Sequence, residues 1–160
     1  MKKLLFSLFI CTISFAPIKA QSKKNCIIET NKNATRKPME KIQKNVLGTE
    51  LILASKDPLT GFFRTGFCDT DASDRGVHVV AAVVTDAFLE YSLSKGNDLI
   101  TPYPASGFPG LKSGNIWCLC VLRWKEALKA GVAPPVILEA TNSKALEYVS
   151  LKDLQDNEAK

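Results

Sequence analysis

His78-Val79-Val80-Ala81-Ala82-Val83-Val84 runs without a break into Thr85-Asp86-Ala87-Phe88-Leu89-Glu90. Ile116-Trp117-Cys118-Leu119-Cys120-Val121 passes just as directly into Leu122-Arg123-Trp124-Lys125-Glu126-Ala127. Each reads as a buried strand followed at once by a helix. Short apolar runs without polar alternation suit strands covered on both faces. Thr85 suits an N-cap, Asp86 complements the positive end of the helix dipole, and Gly96 and Gly131 suit the two helix ends. Phe88, Leu89 and Leu93 give the first helix an apolar stripe. Farther on, Val136 to Glu139 reads as a third strand after Pro134-Pro135. Asn142 caps a short helix reaching Tyr148, and Ser150 with Asp153 forms a capping box for a last helical turn or two. Upstream, Leu51-Ile52-Leu53 suits a short strand, and Asp57-Pro58-Leu59-Thr60-Gly61 a turn. This order predicts an α+β domain, a small sheet with helices packed against it. The strand–helix alternation after His78 also permits the alternative, a wholly parallel α/β sheet.

Between the two strand–helix passages lies Asp98 to Asn115, punctuated by Pro102, Pro104, Gly107-Phe108-Pro109-Gly110 and Gly114. A loop of this length inside a compact domain is often functional. Tyr103, Phe108 and Leu111 are the residues expected to pin it to the body.

The start of the chain reads as an address. Lys2 and Lys3 precede an almost wholly apolar run from Leu4 to Ile18, and small Ala20 suits cleavage before Gln21. The run is shorter than the roughly twenty residues of a spanning helix, and Pro17 interrupts it. Residues 1–20 are therefore expected to be a signal peptide, and the mature chain to be periplasmic or secreted, without a transmembrane span. Cys11 lacks the small residues that precede a lipid-modified cysteine. Residues 21–44 form a polar arm of net charge +5, whereas 45–160 carry −3. The arm is expected to be disordered and 45–160 to be a single domain. At 160 residues, 46% hydrophobic and 23% charged, the chain is ordinary globular material rather than collagen-like or low-complexity. Nucleic-acid binding is excluded because the folded part lacks a basic balance.

Several stretches are distinctive: Asn45-Val46-Leu47-Gly48, Asp57-Pro58-Leu59-Thr60-Gly61-Phe62, Gly96-Asn97-Asp98-Leu99, Gly107-Phe108-Pro109-Gly110-Leu111-Lys112, Trp117-Cys118-Leu119-Cys120, Arg123-Trp124-Lys125-Glu126-Ala127 and Gly131-Val132-Ala133-Pro134-Pro135-Val136. In this order, from Asn45 to Leu154, they resemble the bacterial family called domain of unknown function 2237. The resemblance implies no activity. Cys68, Asp74, Gly76, His78, Cys118 and Cys120 match the family pattern, but Phe67 and Ala81 stand where it carries further cysteines. A metal cage built from all the family's cysteines would lack two ligands here.

Cys118 and Cys120 are two apart on a strand and so share a face, with Trp117, Leu119 and Val121 opposite. Three readings compete. Export favours a disulfide, and the mature chain holds Cys26, Cys68, Cys118 and Cys120. Cys118 and Cys120 are too far apart on an extended strand to bridge each other, so Cys68 is expected to pair with one of them. A zinc site from Cys68, His78, Cys118 and Cys120 is chemically suitable, but its spacing matches no zinc signature. No cofactor is predicted, with zinc kept as the alternative. The third reading is a reactive thiol: Cys120 stands before a helix start, Arg123 lies in its first turn, and His78, the only histidine, is the candidate base. Asp69 to Asp74 fails as an EF-hand loop, because Asp74 and Val80 stand where glycine and glutamate are required. Asp74-Arg75-Gly76 is instead a turn delivering His78 into its strand. Asp74, Trp117 and Phe108 are the candidate pocket residues.

Two functional classes follow. The leading one is a binding or structural module of the cell envelope with structural cysteines, its partner an envelope protein or a small molecule. The rival is a thiol-dependent enzyme using Cys118 or Cys120 with His78 and Arg123. A zinc-binding domain is the second alternative. Proximity separates them: the enzyme needs His78 near a free sulfur.

Overall fold

The computed structural model describes residues 43–160; the expected signal peptide, Cys11, Cys26 and the expected arm as far as residue 42 lie outside the described residues. Gln43 and Lys44, the end of the predicted arm, are built into the domain. The Gln43 carbonyl accepts from the Leu51 N–H at 2.9 Å, and the Lys44 carbonyl from the Ser143 N–H at 2.8 Å.

The two buried apolar runs become β1 (His78–Val83) and β2 (Ile116–Cys120). They pair antiparallel, with Ala82 opposite Trp117, Ala81 opposite Cys118, Val80 opposite Leu119 and His78 opposite Cys120. Val79 is the extra residue of a β-bulge between His78 and Val80. The fold is α+β, and the antiparallel pairing corrects the parallel alternative.

Each strand feeds a helix: α1 (Asp86–Ser94) after β1 and α2 (Val121–Lys129) after β2. The Thr85 hydroxyl accepts from the Phe88 N–H, as an N-cap should. A short α3 (Leu151–Asp156) begins with a complete Ser150–Asp153 capping box. Asn142 caps a 3-10 turn, Ser143–Glu147, rather than an α-helix.

The two faces of the ribbon are covered differently. Val80, Ala82, Trp117 and Leu119 pack with Phe88, Leu89, Trp124, Ala127 and Leu154 into the main core. Full burial of such side chains contributes about 1.5–3 kcal/mol each. Trp124 is completely buried and donates its indole N–H to the Pro134 carbonyl at 3.0 Å. The opposite face carries Ala81 and Cys118, covered by Cys68, Ala140, Ala54 and Ile137.

Two expected strands are absent among the described residues. Pro135 and Ile137 do run beside β1, through Val83 N–H to Pro135 C=O and Ile137 N–H to Ala81 C=O. The prolines have no N–H to add, and the Ala81 N–H goes to the Thr141 hydroxyl, so pairing stops. Val136 keeps single bridges to Ala82 and Glu158, and Leu138–Ala140 turns as a 3-10 helix. Leu51-Ile52-Leu53 forms no ladder either. Leu51 bonds to Gln43 and Ile52 to Glu139, two different segments. The Thr60 hydroxyl accepts from the Cys118 N–H on the free edge of β2.

Candidate functional site

Chemistry-bearing side chains gather in two neighbourhoods, one at the His78 end of the ribbon and one under the long loop. At the first, the Asp74-Arg75-Gly76 turn places the Asp74 carboxylate, only 3% exposed, beneath the start of β1. One oxygen accepts from the His78 N–H at 2.7 Å and from the Thr70 hydroxyl at 3.0 Å, and the other lies 2.7 Å from His78 Nδ1. Burial pushes the Asp74 pKa up. The His78 backbone and ring hydrogen bonds, the ring's charge and the Thr70 hydroxyl outweigh it and hold the carboxyl below its ordinary value. An ionised carboxylate only accepts, so Nδ1 carries the ring proton and Nε2 presents its lone pair when the ring is neutral.

The ring is held on two further sides. It lies against Gly76, where an added Cβ would come within 2.3 Å of Cε1. Phe62 stacks on it with centroids 5.9 Å apart and planes 13° from parallel. Val77, between glycine and histidine, has φ +50°, the left-handed region that β-branched residues avoid. Its carbonyl accepts from the Val121 N–H at 3.1 Å, tying this turn to the start of α2.

Cys120 is the N-cap residue of α2, half-buried, and pairs directly across from His78. Among the described residues no hydrogen bond joins its thiol to the ring. Arg123 turns to Glu126 instead, at 3.0 Å, with both side chains well exposed. Cys118 differs from Cys120 in kind: its sulfur is bonded to that of Cys68, fifty residues away in sequence, with Cα atoms 5.3 Å apart. Cys118 is therefore no candidate nucleophile, and Cys120 is the free thiol among the described residues. The same bond uses two of the four proposed zinc donors. Among the described residues no three His, Cys, Asp or Glu side chains gather as a metal cluster. Ala81 sits opposite Cys118 in the small core around this bridge.

The second neighbourhood is a pocket of about 470 Å³ lined by Arg64, Asp98, Tyr103, Phe108 and Trp117 among others. Phe108 and Trp117 meet edge to face with centroids 5.5 Å apart, and the Arg64 guanidinium sits 4.8 Å from the Trp117 ring centre. Arg64 itself has φ +56°. Asp98 accepts from the Thr101 and Ile100 N–H groups, each at 2.9 Å, and these bonds hold its carboxyl below the ordinary value. Leu111 anchors the loop at 2% exposure, whereas Tyr103 is 63% exposed and forms a rim rather than a pin. Asp74 lies apart, on a cleft shared with Gln43, Lys44 and Asn142.

The sequence reading named Trp117 and Phe108 here but missed Arg64, Asp98 and the stacking role of Phe62. An Asx turn at Asp98, before Thr101-Pro102, was readable from residue type. Nothing in Phe62-Phe63-Arg64 announced that the arginine would lie over a tryptophan far along the chain.

Comparison with curated proteins finds no match. A family model described as an uncharacterized protein conserved in bacteria, DUF2237, matches residues 44–158, and the chain belongs to that family.

Proposed function

We propose that this domain is an exported binding module of the cell envelope, a disulfide-held scaffold that takes a planar-ring acid in the pocket beneath the long loop. The observation that carries this reading is the Arg64 guanidinium lying over the Trp117 ring at the pocket, 4.8 Å from its centre. Among the described residues no carboxylate pairs with it. Arginine forks bind carboxylates bidentately, and a guanidinium held 4.8 Å from the indole centre, with one Nη1–H given to the Gly61 carbonyl at 3.5 Å, keeps further N–H donors for an acid. Phe108, Trp117 and Tyr103 supply ring walls, and the volume suits a small molecule. The left-handed backbone at Arg64 is the kind of strain that persists at ligand clamps. The leader-like start of the chain and the Cys68–Cys118 bridge support export to an oxidising compartment.

The test is a thermal-shift and tryptophan-fluorescence titration of the oxidised protein with aromatic carboxylates and their neutral amides. The acids are expected to bind, the amides to bind at least tenfold more weakly, and Arg64→Ala to abolish the difference. Equal response to acid and amide, or no response across the panel, overturns the reading.

A further inference from the structure

We propose that Cys120, His78 and Asp74 form a nucleophilic thiol centre that accepts an acyl group from an activated ester or thioester. This stands independently of the aromatic pocket. His78 and Cys120 are register partners at the bulged end of the antiparallel pair, which brings the imidazole and the thiol to the same end of the ribbon. The buried Asp74 carboxylate fixes Nδ1 as the protonated ring nitrogen, leaving Nε2 as the base. Hydrogen bonds of this kind commonly tighten only when substrate is bound, which fits a ring and thiol not yet joined.

Four further features converge on the same ring. The bulge at Val79 re-aims the end of β1 beside it, and such bulges recur next to active sites. Val77 holds a backbone conformation costly for its type immediately before His78. Gly76 leaves the space the imidazole occupies. Phe62 stacks on the ring and meets Phe63 edge to face, and these side chains are 40% and 41% exposed, an apolar platform beside the histidine. That platform favours an apolar acyl group.

In the first step Nε2 takes the thiol proton, and the Cys120 sulfur bonds to the acyl carbon. The bond from that carbon to the leaving alkoxide or thiolate breaks, and the leaving group takes the proton back from the ring. In the second step His78 takes a proton from water, and the hydroxide adds to the thioester carbon. The carbon–sulfur bond then breaks, the sulfur recovers the proton, and the free acid departs. Water is the only co-reactant, and nothing is oxidised or reduced.

The experiment treats the oxidised full chain with p-nitrophenyl acetate at neutral pH and follows nitrophenolate release, with peptide mapping to separate Cys120 from Cys11 and Cys26. One acetyl group is expected on Cys120, transferred about a hundredfold faster than to glutathione, the scale of general-base assistance. His78→Ala should lose that advantage, and free imidazole should restore part of it. A merely structural histidine would show no such rescue. Acylation of Cys120 in the unaltered protein no faster than that of glutathione overturns the proposal. So does a folded His78→Ala protein that keeps the full rate.

Discussion

Replacing both Cys68 and Cys118 by alanine should lower the stability of this domain by about 4 kcal/mol. The figure follows from the fifty residues separating the bridged cysteines. In the chain-entropy account, a loop of that size removes roughly 14 cal/mol/K from the unfolded ensemble, or about 4 kcal/mol at room temperature. For a folded body of this size, about 4 °C accompanies each kcal/mol, so the melting temperature should fall by about 16 °C. The double replacement is the right perturbation. Removing Cys118 alone would free Cys68 to seek Cys120, two residues farther along the same face. Both sulfurs are essentially buried, so lost packing adds to the entropic effect rather than opposing it. The assay is thermal unfolding by circular dichroism of the oxidised protein, its reduced form and the double variant. A fall of less than about 4 °C, worth about 1 kcal/mol, would refute the loop-closure argument. A reduced protein that melts with the oxidised one would refute it equally.

Gly76→Ala drives a methyl group into the His78 ring, so the ring must leave Asp74. The cost should be about 1–3 kcal/mol in urea unfolding, with loss of the downfield Nδ1 proton resonance in NMR. Trp124→Phe orphans the Pro134 carbonyl and opens a void in the main core, and it should cost about 2–4 kcal/mol by thermal melting. Because the Asp74 carboxyl is held below its ordinary value, its stabilisation is fully present above the unfolded carboxyl pKa near ~3.9 and is lost as pH falls through the lower folded value. The stability gap between the native protein and Asp74→Asn should therefore persist from neutral pH down to about 4 and close only below it. Urea midpoints measured across that range check the sign, and a gap that closes above pH 5 would contradict it.

The parts of the fold legible in the sequence were those decided locally. β1, β2, α1 and α2 follow from uninterrupted apolar runs meeting caps at Thr85 and terminators at Gly96 and Gly131, and the Ser150 box needs only its own four residues. The misread segments were decided by distant partners. Val136 to Glu139 has strand composition, but the Thr141 hydroxyl takes the Ala81 N–H that a third strand would have needed. Leu51 to Leu53 is apolar, yet its hydrogen bonds go to separate segments. The same division holds at the site. Strand spacing put Cys118 and Cys120 on one face, whereas the pairing of His78 with Cys120 depends on register and a bulge that no local pattern encodes. Arg64 was illegible for the same reason, since its meaning lies in Trp117, more than fifty residues away.

The binding account is tested most directly by mapping backbone amide shifts of the oxidised protein during titration with an aromatic carboxylate. It predicts saturable changes at Arg64, Thr101, Phe108 and the Trp117 indole, while the buried Trp124 indole stays in place. Saturable changes confined to the Asp74, Lys44 and Asn142 cleft, or an unperturbed Trp117 at full ligand excess, would contradict it.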